Sequence, residues 1–233
     1  MIPLSDLNER RSVPWVMISI VLLNVVVFVY ELTLGTRQLD TFIQTFGTVP
    51  TEIARGQQLP PPAPQPIYLT LVTAMFIHSG FLHIGSNMLY LWIFGDNVED
   101  AFGHIPFLLF YFASGIVAGL TQVLVDVNSN VPSIGASGAI AGVLGAYLLL
   151  FPRAQVRTLL FIGFFITIAR LPAMLLIGFW FITQLLSGIA SLGVATQQTG
   201  GVAVWAHVGG FITGLILAAF FGRRQQTSKT AAW

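Results

Sequence analysis

Long apolar runs separated by short polar stretches dominate the sequence. A helix that spans a bilayer needs about 20 mostly apolar residues, and six segments of the chain come close to or meet that length. They are residues 14–34, 71–95, 105–125, 134–151, 171–190 and 202–221. The pattern predicts an all-α membrane protein, with six transmembrane helices in a single membrane domain over residues 1–233.

Two stretches interrupt this pattern. Residues 35–68 carry several charges and the proline run 60–66, which cannot form a regular helix. We therefore expect a long loop outside the membrane. Residues 159–169 are apolar but too short to span, and Arg170 and Pro172 follow them. The sequence leaves open whether they lie along the interface or form part of a span.

The arginine and lysine residues orient the predicted helices. With six spans, both termini fall on one side, together with eight of the ten Lys and Arg residues. Arg37 and Arg55 fall on the other side. Because cytoplasmic loops are enriched in Lys and Arg, both termini are expected in the cytoplasm. Residues 35–68 are then an extracytoplasmic loop, and residues 222–233 form a cytoplasmic tail.

Composition supports this class and excludes others. The chain is 55% hydrophobic and 8% charged, whereas a soluble domain carries about 25% charged residues. A net charge of +1 provides no basic surface for nucleic acid. The absence of cysteine excludes disulfides, thiolate metal sites and a cysteine nucleophile.

Ser137 stands between Gly135 and Gly138, where the fourth apolar segment begins. Backbone N–H groups in the first turn of a helix have no intrahelical acceptor, and glycines let another chain approach closely. A serine nucleophile needs both features: access for a carbonyl group and donors for the oxyanion. Taken alone, such a stretch is more typical of helix packing.

The predicted topology brings a histidine toward this serine. Helices two, four and six run in the same direction, so their first halves lie at one level below the outer surface. His207 shares a helix face with Gly210 and Gly214. That face can pack against the small residues of helix four and bring His207 near Ser137. A buried neutral imidazole suits a general base.

Helix two supplies further polar residues. His83 and Asn87 are four residues apart on one face and could donate hydrogen bonds to an oxyanion. His78 is five residues before His83, off that face, and is expected to cap the helix or hold the loop. With no HExxH motif and no zinc-like histidine spacing, we expect no metal or other cofactor. A polar network in a transporter remains an alternative at this point.

Together these residues resemble the rhomboid family of intramembrane serine proteases, over roughly residues 14–221. The motifs that carry the resemblance are Gly135-Ala136-Ser137-Gly138, the set His78, His83 and Asn87, and the set His207, Gly210 and Gly214. The resemblance implies that the serine is the nucleophile, the helix-six histidine is the base, and His83 and Asn87 bind the oxyanion. It also implies a membrane-embedded first loop and a gate made by helix five and a loop.

Two departures from the family accompany the resemblance. The Trp-Arg pair common in the first loop is absent here. The position four residues after the serine is Ala141, whereas some members have an aromatic residue there. Other residues must therefore brace His207.

The sequence thus predicts a serine endopeptidase that cleaves transmembrane segments of other membrane proteins near the outer face, by a Ser137–His207 dyad. We expect a monomeric multi-pass protein of a prokaryotic cell membrane, with the lipid bilayer and transmembrane proteins as its partners. One alternative is an inactive rhomboid-like protein that binds membrane proteins. Another is a small transporter, although no inverted repeat supports that function.

Overall fold

The computed structural model describes residues 1–192 and 203–229, which form a helical bundle with a small sheet. The helices are α1 Trp15–Leu32, α2 Thr36–Phe46, α3 Pro50–Arg55, α4 Thr70–Thr73, α5 Phe81–Phe102, α6 His104–Val125, α7 Ser137–Leu150, α8 Ala173–Ser191 and α9 Val204–Lys229. Short 3-10 turns, Ile67–Leu69 and Ala74–Phe76, flank α4. The predicted helix start at residue 202 lies outside the described residues.

Three of the described helices, α1, α6 and α8, are long and apolar enough to cross a membrane. A fourth span results if Ile67–Phe76 and α5, which are bent by 86° relative to each other, are counted together. The apolar helix α7 and the apolar part of α9, Val204–Phe220, are shorter. A mostly helical membrane fold, as predicted, is confirmed.

The second apolar segment is not one straight helix from residue 71. Its regular helix begins at Phe81, and the preceding turns are held by threonine hydroxyls bonded to carbonyl oxygens. Thr73 donates to the Phe46 carbonyl at 2.6 Å, and Thr48 donates to the Thr70 carbonyl at 2.9 Å. These bonds attach residues 67–76 to the preceding loop, so that His83 falls in the first turn of α5.

An antiparallel three-stranded sheet, which the all-α expectation omitted, covers one end of the bundle. Its strands are β1 Ile2–Asp6, β2 Gln155–Ile162 and β3 Phe165–Pro172, in the order β1-β2-β3. Gly163, at φ 58°, turns β2 into β3. Residues 159–169 therefore belong to a β-hairpin and not to an extra helical span. The alternation of buried Val156 and Thr158 with exposed Gln155 and Arg157 fits the two-residue period of a strand.

Helix α7 lies at the centre of the bundle. Every residue from Gly138 to Tyr147 is buried. Against α6, a Cβ atom added at Gly138 would lie 2.6 Å from the Cβ of Ala118, and one at Gly142 would lie 2.5 Å from the Ser114 side chain. The glycines of α7 thus allow closer packing than any side chain would permit, which fixes the position of Ser137 at the start of the helix.

Candidate active site

Ser137 is the first residue of α7, and the loop before it is held at two points. Thr48 and Ser133 form an antiparallel bridge, in which each N–H donates to the other residue's carbonyl at 3.0 and 2.8 Å. The Gly135 N–H donates to the Ala74 carbonyl at 2.8 Å. The serine therefore stands on an anchored turn.

Gly135 is needed for both its backbone angle and its lack of a side chain. Its φ is 112°, a value that residues with a Cβ rarely adopt. A Cβ there would also lie 2.6 Å from His83 Nε2 and 3.7 Å from Asn87 Nδ2. The turn before Ser137 thus passes directly against the two polar residues of α5.

His207, in the first turn of α9, contacts the serine. Its Nε2 lies 2.8 Å from Ser137 Oγ. The contact is possible because α9 meets α7 backbone to backbone. A Cβ at Gly210 would overlap the Gly138 carbonyl oxygen, and one at Gly214 would overlap that of Gly142.

Two side chains of α8, Gln184 and Trp180, lie next to the imidazole of His207. Nδ1 of His207 lies 2.8 Å from Gln184 Oε1, and the Trp180 ring centroid lies 5.9 Å from that of His207. With the amide oxygen as acceptor, Nδ1 carries the proton and donates. Nε2 is then free to accept the hydrogen bond of the Ser137 hydroxyl.

Gln184 and Trp180 are site residues that the sequence pattern did not predict. Gln184 could have been noticed as the one amide in an otherwise apolar predicted span, because burying an amide in the membrane costs free energy and such a side chain normally has a hydrogen-bond partner. No acid contacts His207 among the hydrogen bonds of the described residues. Glu31, a buried acid near this end of the bundle, instead accepts the His78 N–H at 3.2 Å.

His83 is oriented to donate toward the turn before Ser137. The Ser79 N–H, which can only donate, faces His83 Nδ1 at 3.4 Å, and the Ser79 hydroxyl lies 3.1 Å from the same atom. A neutral imidazole that accepts at Nδ1 carries its proton on Nε2. That nitrogen is the one beside Gly135.

Asn87, one turn further along α5, contributes a second donor. The residue is only 6% exposed, and its Nδ2 has no hydrogen-bond partner among the described residues. A buried amide donor without a partner costs free energy, so a group that accepts from it on binding would recover that cost. Asn87 and His83 line the same cavity as Ser137 and His207.

His78 does not line this cavity. Its ring is buried and packs edge-on against His83, with centroids 5.0 Å apart. It therefore lies behind the polar wall, and its backbone N–H bonds Glu31.

The cavity has a volume of about 590 Å³. Its polar wall comes from α5, and apolar side chains such as Ile134, Ile140, Leu144 and Trp180 line the rest. Such a volume can hold several residues of an extended peptide. No group of three or more His, Asp or Glu side chains among the described residues is placed to hold a metal ion.

The fold and site thus define a helical membrane protein in which a serine and a histidine form a hydrogen-bonded pair at a partly polar cavity. Comparison with known families matches residues 66–224 to the Rhomboid domain. The chain belongs to the rhomboid family, which includes intramembrane serine proteases.

Several named relatives show partial similarity. Rhomboid protease GluP of Bacillus subtilis is 35% identical over 121 residues, which is 52% of this chain and 21% of the relative. Rhomboid-like protein 11, chloroplastic, of Arabidopsis thaliana is 30% identical over 158 residues, 65% of this chain and 52% of the relative. Rhomboid protein 1, mitochondrial, of Saccharomyces cerevisiae is 35% identical over 97 residues, which is 40% of this chain and 28% of the relative. The matches cover about half or less of these relatives.

Proposed function

We propose that this chain is an intramembrane serine endopeptidase that cleaves transmembrane segments of other membrane proteins near the outer membrane face. The observation that carries the proposal is the 2.8 Å contact between Ser137 Oγ and His207 Nε2 at the cavity. Membership of a family that includes such proteases supports it. In this function Ser137 is the nucleophile and His207 is the general base.

The reaction follows from the hydrogen-bond directions at the site. Ser137 Oγ attacks the peptide carbonyl carbon while its proton passes to His207 Nε2. The charge on the carbonyl oxygen is stabilised by His83 Nε2–H, by Asn87 Nδ2 and by the backbone N–H of Ser137 in the first turn of α7. His207 then returns the proton to the leaving amine, and water hydrolyses the acyl-enzyme with His207 again as base.

The substrate must offer an extended peptide to this site. A transmembrane helix shields its peptide bonds, because its backbone groups bond one another. Local unwinding has to precede cleavage, and glycine or other weak helix formers lower its cost. We expect cleavage sites near the outer end of a transmembrane segment, next to such residues.

The proposed membrane arrangement has six crossings, formed by α1, α5, α6, α7, α8 and α9, with both termini in the cytoplasm. The charge distribution of the sequence supports this orientation. Helix α7 has only 14 residues, but it is surrounded by other helices and need not match the full bilayer thickness. A monomer in the cell membrane is proposed, although the named relatives include mitochondrial and chloroplastic proteins.

A cleavage assay in liposomes tests this function. Wild type and Ser137→Ala are reconstituted with a generic membrane-anchored fluorescent substrate, and Ser19→Ala is the matched control. The Ser19 hydroxyl bonds the Trp15 carbonyl of its own helix at 2.7 Å, away from the cavity. We expect cleavage by wild type and by Ser19→Ala but not by Ser137→Ala, with similar melting temperatures. Equal cleavage by Ser137→Ala would refute the nucleophile, and binding without cleavage by wild type would favour an inactive binder.

A further inference from the structure

Helix α8 places one amide side chain against the candidate base. Between Ala173 and Ser191 this helix contains no ionisable residue, and Gln184 is its one amide. Its Oε1 lies 2.8 Å from His207 Nδ1, on the opposite side of the ring from Ser137. Ser137, His207 and Gln184 thus form a chain of hydrogen bonds that runs from α7 through α9 to α8.

We propose that Gln184 is a positioning residue that fixes the tautomer and the rotation of the His207 ring. The inference rests on the proposed role of His207 as the base. Gln184 does not line the cavity and bonds the far nitrogen of the ring from Ser137, so any contribution it makes passes through the imidazole.

The tautomer follows from the chemistry of the acceptor. A neutral imidazole carries one proton, on either Nδ1 or Nε2. An amide oxygen at Nδ1 favours the form with the proton there, which leaves the Nε2 lone pair for the Ser137 hydroxyl. Because an amide oxygen also accepts from a protonated imidazole, the bond persists when His207 takes the serine proton.

Trp180 supports the same orientation from one turn earlier on α8. Residues four apart share a helix face, so Trp180 and Gln184 contact the ring together. Helix α7 cannot supply a brace of this kind, because Ala141, four residues after Ser137, is small and fully buried. The support for His207 therefore comes from α8.

Few other groups compete for the imidazole. Among the described residues, His83 and Tyr90 on α5 are the titratable side chains that share the cavity with His207. The Nδ1 of His83 faces Ser79 at 3.1 Å. Glu31 on α1 bonds the backbone of His78. The Nδ1 partner is thus a neutral amide, and the expected change on its loss is in the tautomer of His207.

Nitrogen-15 NMR of histidine tests the tautomer directly. The chain has four histidines, so the spectrum is simple, and His207→Ala identifies the signals of interest. The samples are wild type, Gln184→Met, which keeps the size and removes the acceptor, and Thr183→Val as the matched control. The Thr183 hydroxyl bonds the Trp180 carbonyl of its own helix at 2.6 Å.

We expect wild type and Thr183→Val to show His207 protonated at Nδ1, and Gln184→Met to show a shift toward the Nε2–H form. In parallel cleavage assays, kcat of Gln184→Met should fall roughly tenfold, the order of one hydrogen bond, at an unchanged KM. A wild-type tautomer in Gln184→Met, or a change confined to KM, overturns the inference.

The failure of the proposed function has a different signature. If Ser137→Ala cleaves as well as wild type, the role of Ser137 as nucleophile and of His207 as its base is refuted, and the NMR result still decides whether Gln184 sets the tautomer. If Ser137→Ala is inactive and Gln184→Met is unchanged in both readouts, only the role of Gln184 is refuted.

Discussion

Helix α9 packs against α7 and α8 by two different kinds of contact. Toward α7 the backbones touch: Gly210 faces the Gly138 carbonyl and Gly214 faces the Gly142 carbonyl, with no room for a Cβ. Toward α8 the contact is made by side chains. Phe181 stacks on Phe211 with centroids 4.1 Å apart.

The two interfaces control two different properties of the Ser137–His207 pair: the distance between the side chains and the orientation of the imidazole ring. The distance between Ser137 and His207 is set by a backbone contact that cannot relax without moving a whole helix. The orientation of the His207 ring depends on side chains of α8, a helix with many apolar residues exposed at the bundle surface. Substitutions between α9 and α7 should therefore change the Ser137–His207 distance and the stability together. Substitutions between α9 and α8 should have smaller effects on both activity and stability.

His207→Ala should have the largest effect on cleavage, because it removes the imidazole that α7 and α8 hold in place. Cleavage should fall to background at a nearly unchanged melting temperature, because the ring is replaced in a region that borders a cavity. His78→Ala provides the contrast. Its ring is buried outside the cavity, so it should lower the melting temperature and affect cleavage only through stability. Retained cleavage in folded His207→Ala would contradict the role of base.

Asn87→Ala should have the next largest effect. An oxyanion donor acts mainly in the transition state, and losing one costs about 10²–10³ in the catalytic rate. We expect kcat to fall by that order while KM stays near its wild-type value, in steady-state cleavage measurements. A raised KM at full turnover would show that Asn87 binds the substrate uniformly and is not an oxyanion donor.

Gly210→Val tests the backbone contact itself. The valine would push α9 away from α7, and a misplacement of about 1 Å can cost on the order of a hundredfold in rate. Activity and melting temperature should therefore fall together. The control is Gly178→Val on α8, where an added Cβ meets nothing within 4 Å. If both variants lost activity and melting temperature to the same extent, the backbone contact between α9 and α7 would not be what sets the Ser137–His207 distance.

Phe181→Leu, at the side-chain interface, should have the smallest effect. Aromatic pairs contribute about 0.5–1.5 kcal/mol beyond the area they bury, so unfolding should become easier by about that amount. Cleavage should stay within a few-fold of wild type. A loss as large as that of Gly210→Val would mean that α8 sets the distance between the pair as well.

The sequence predicted the polar residues of the site because each stands out in an apolar segment. Ser137, His207, His83 and Asn87 are brought to one cavity, and the spacing of Gly210 and Gly214 on the face of His207 anticipated the close approach of α9. The roles of these residues remain predictions. Gln184 could not be predicted from the hydropathy pattern, because an uncharged amide within an apolar segment does not reveal which side chain on another helix it bonds.

The parts of the fold that the sequence did not reveal depend on contacts between distant residues. The hairpin of β2 and β3 is joined by β1 from the N-terminus, with Asp6 opposite Val156. Such pairing leaves little trace in local hydropathy. The break before α5 likewise depends on threonine bonds to another loop.

Covalent labelling with a fluorophosphonate probe, followed by peptide mass spectrometry to locate the adduct, tests most directly whether Ser137 is the nucleophile. A serine activated by a neighbouring base reacts with such probes, and other serines of the chain should not. We expect an adduct on Ser137 in wild type, no adduct in Ser137→Ala, and strongly reduced labelling in His207→Ala. Labelling of folded Ser137→Ala at the wild-type level, or an adduct on another serine, would contradict the role of Ser137 as nucleophile.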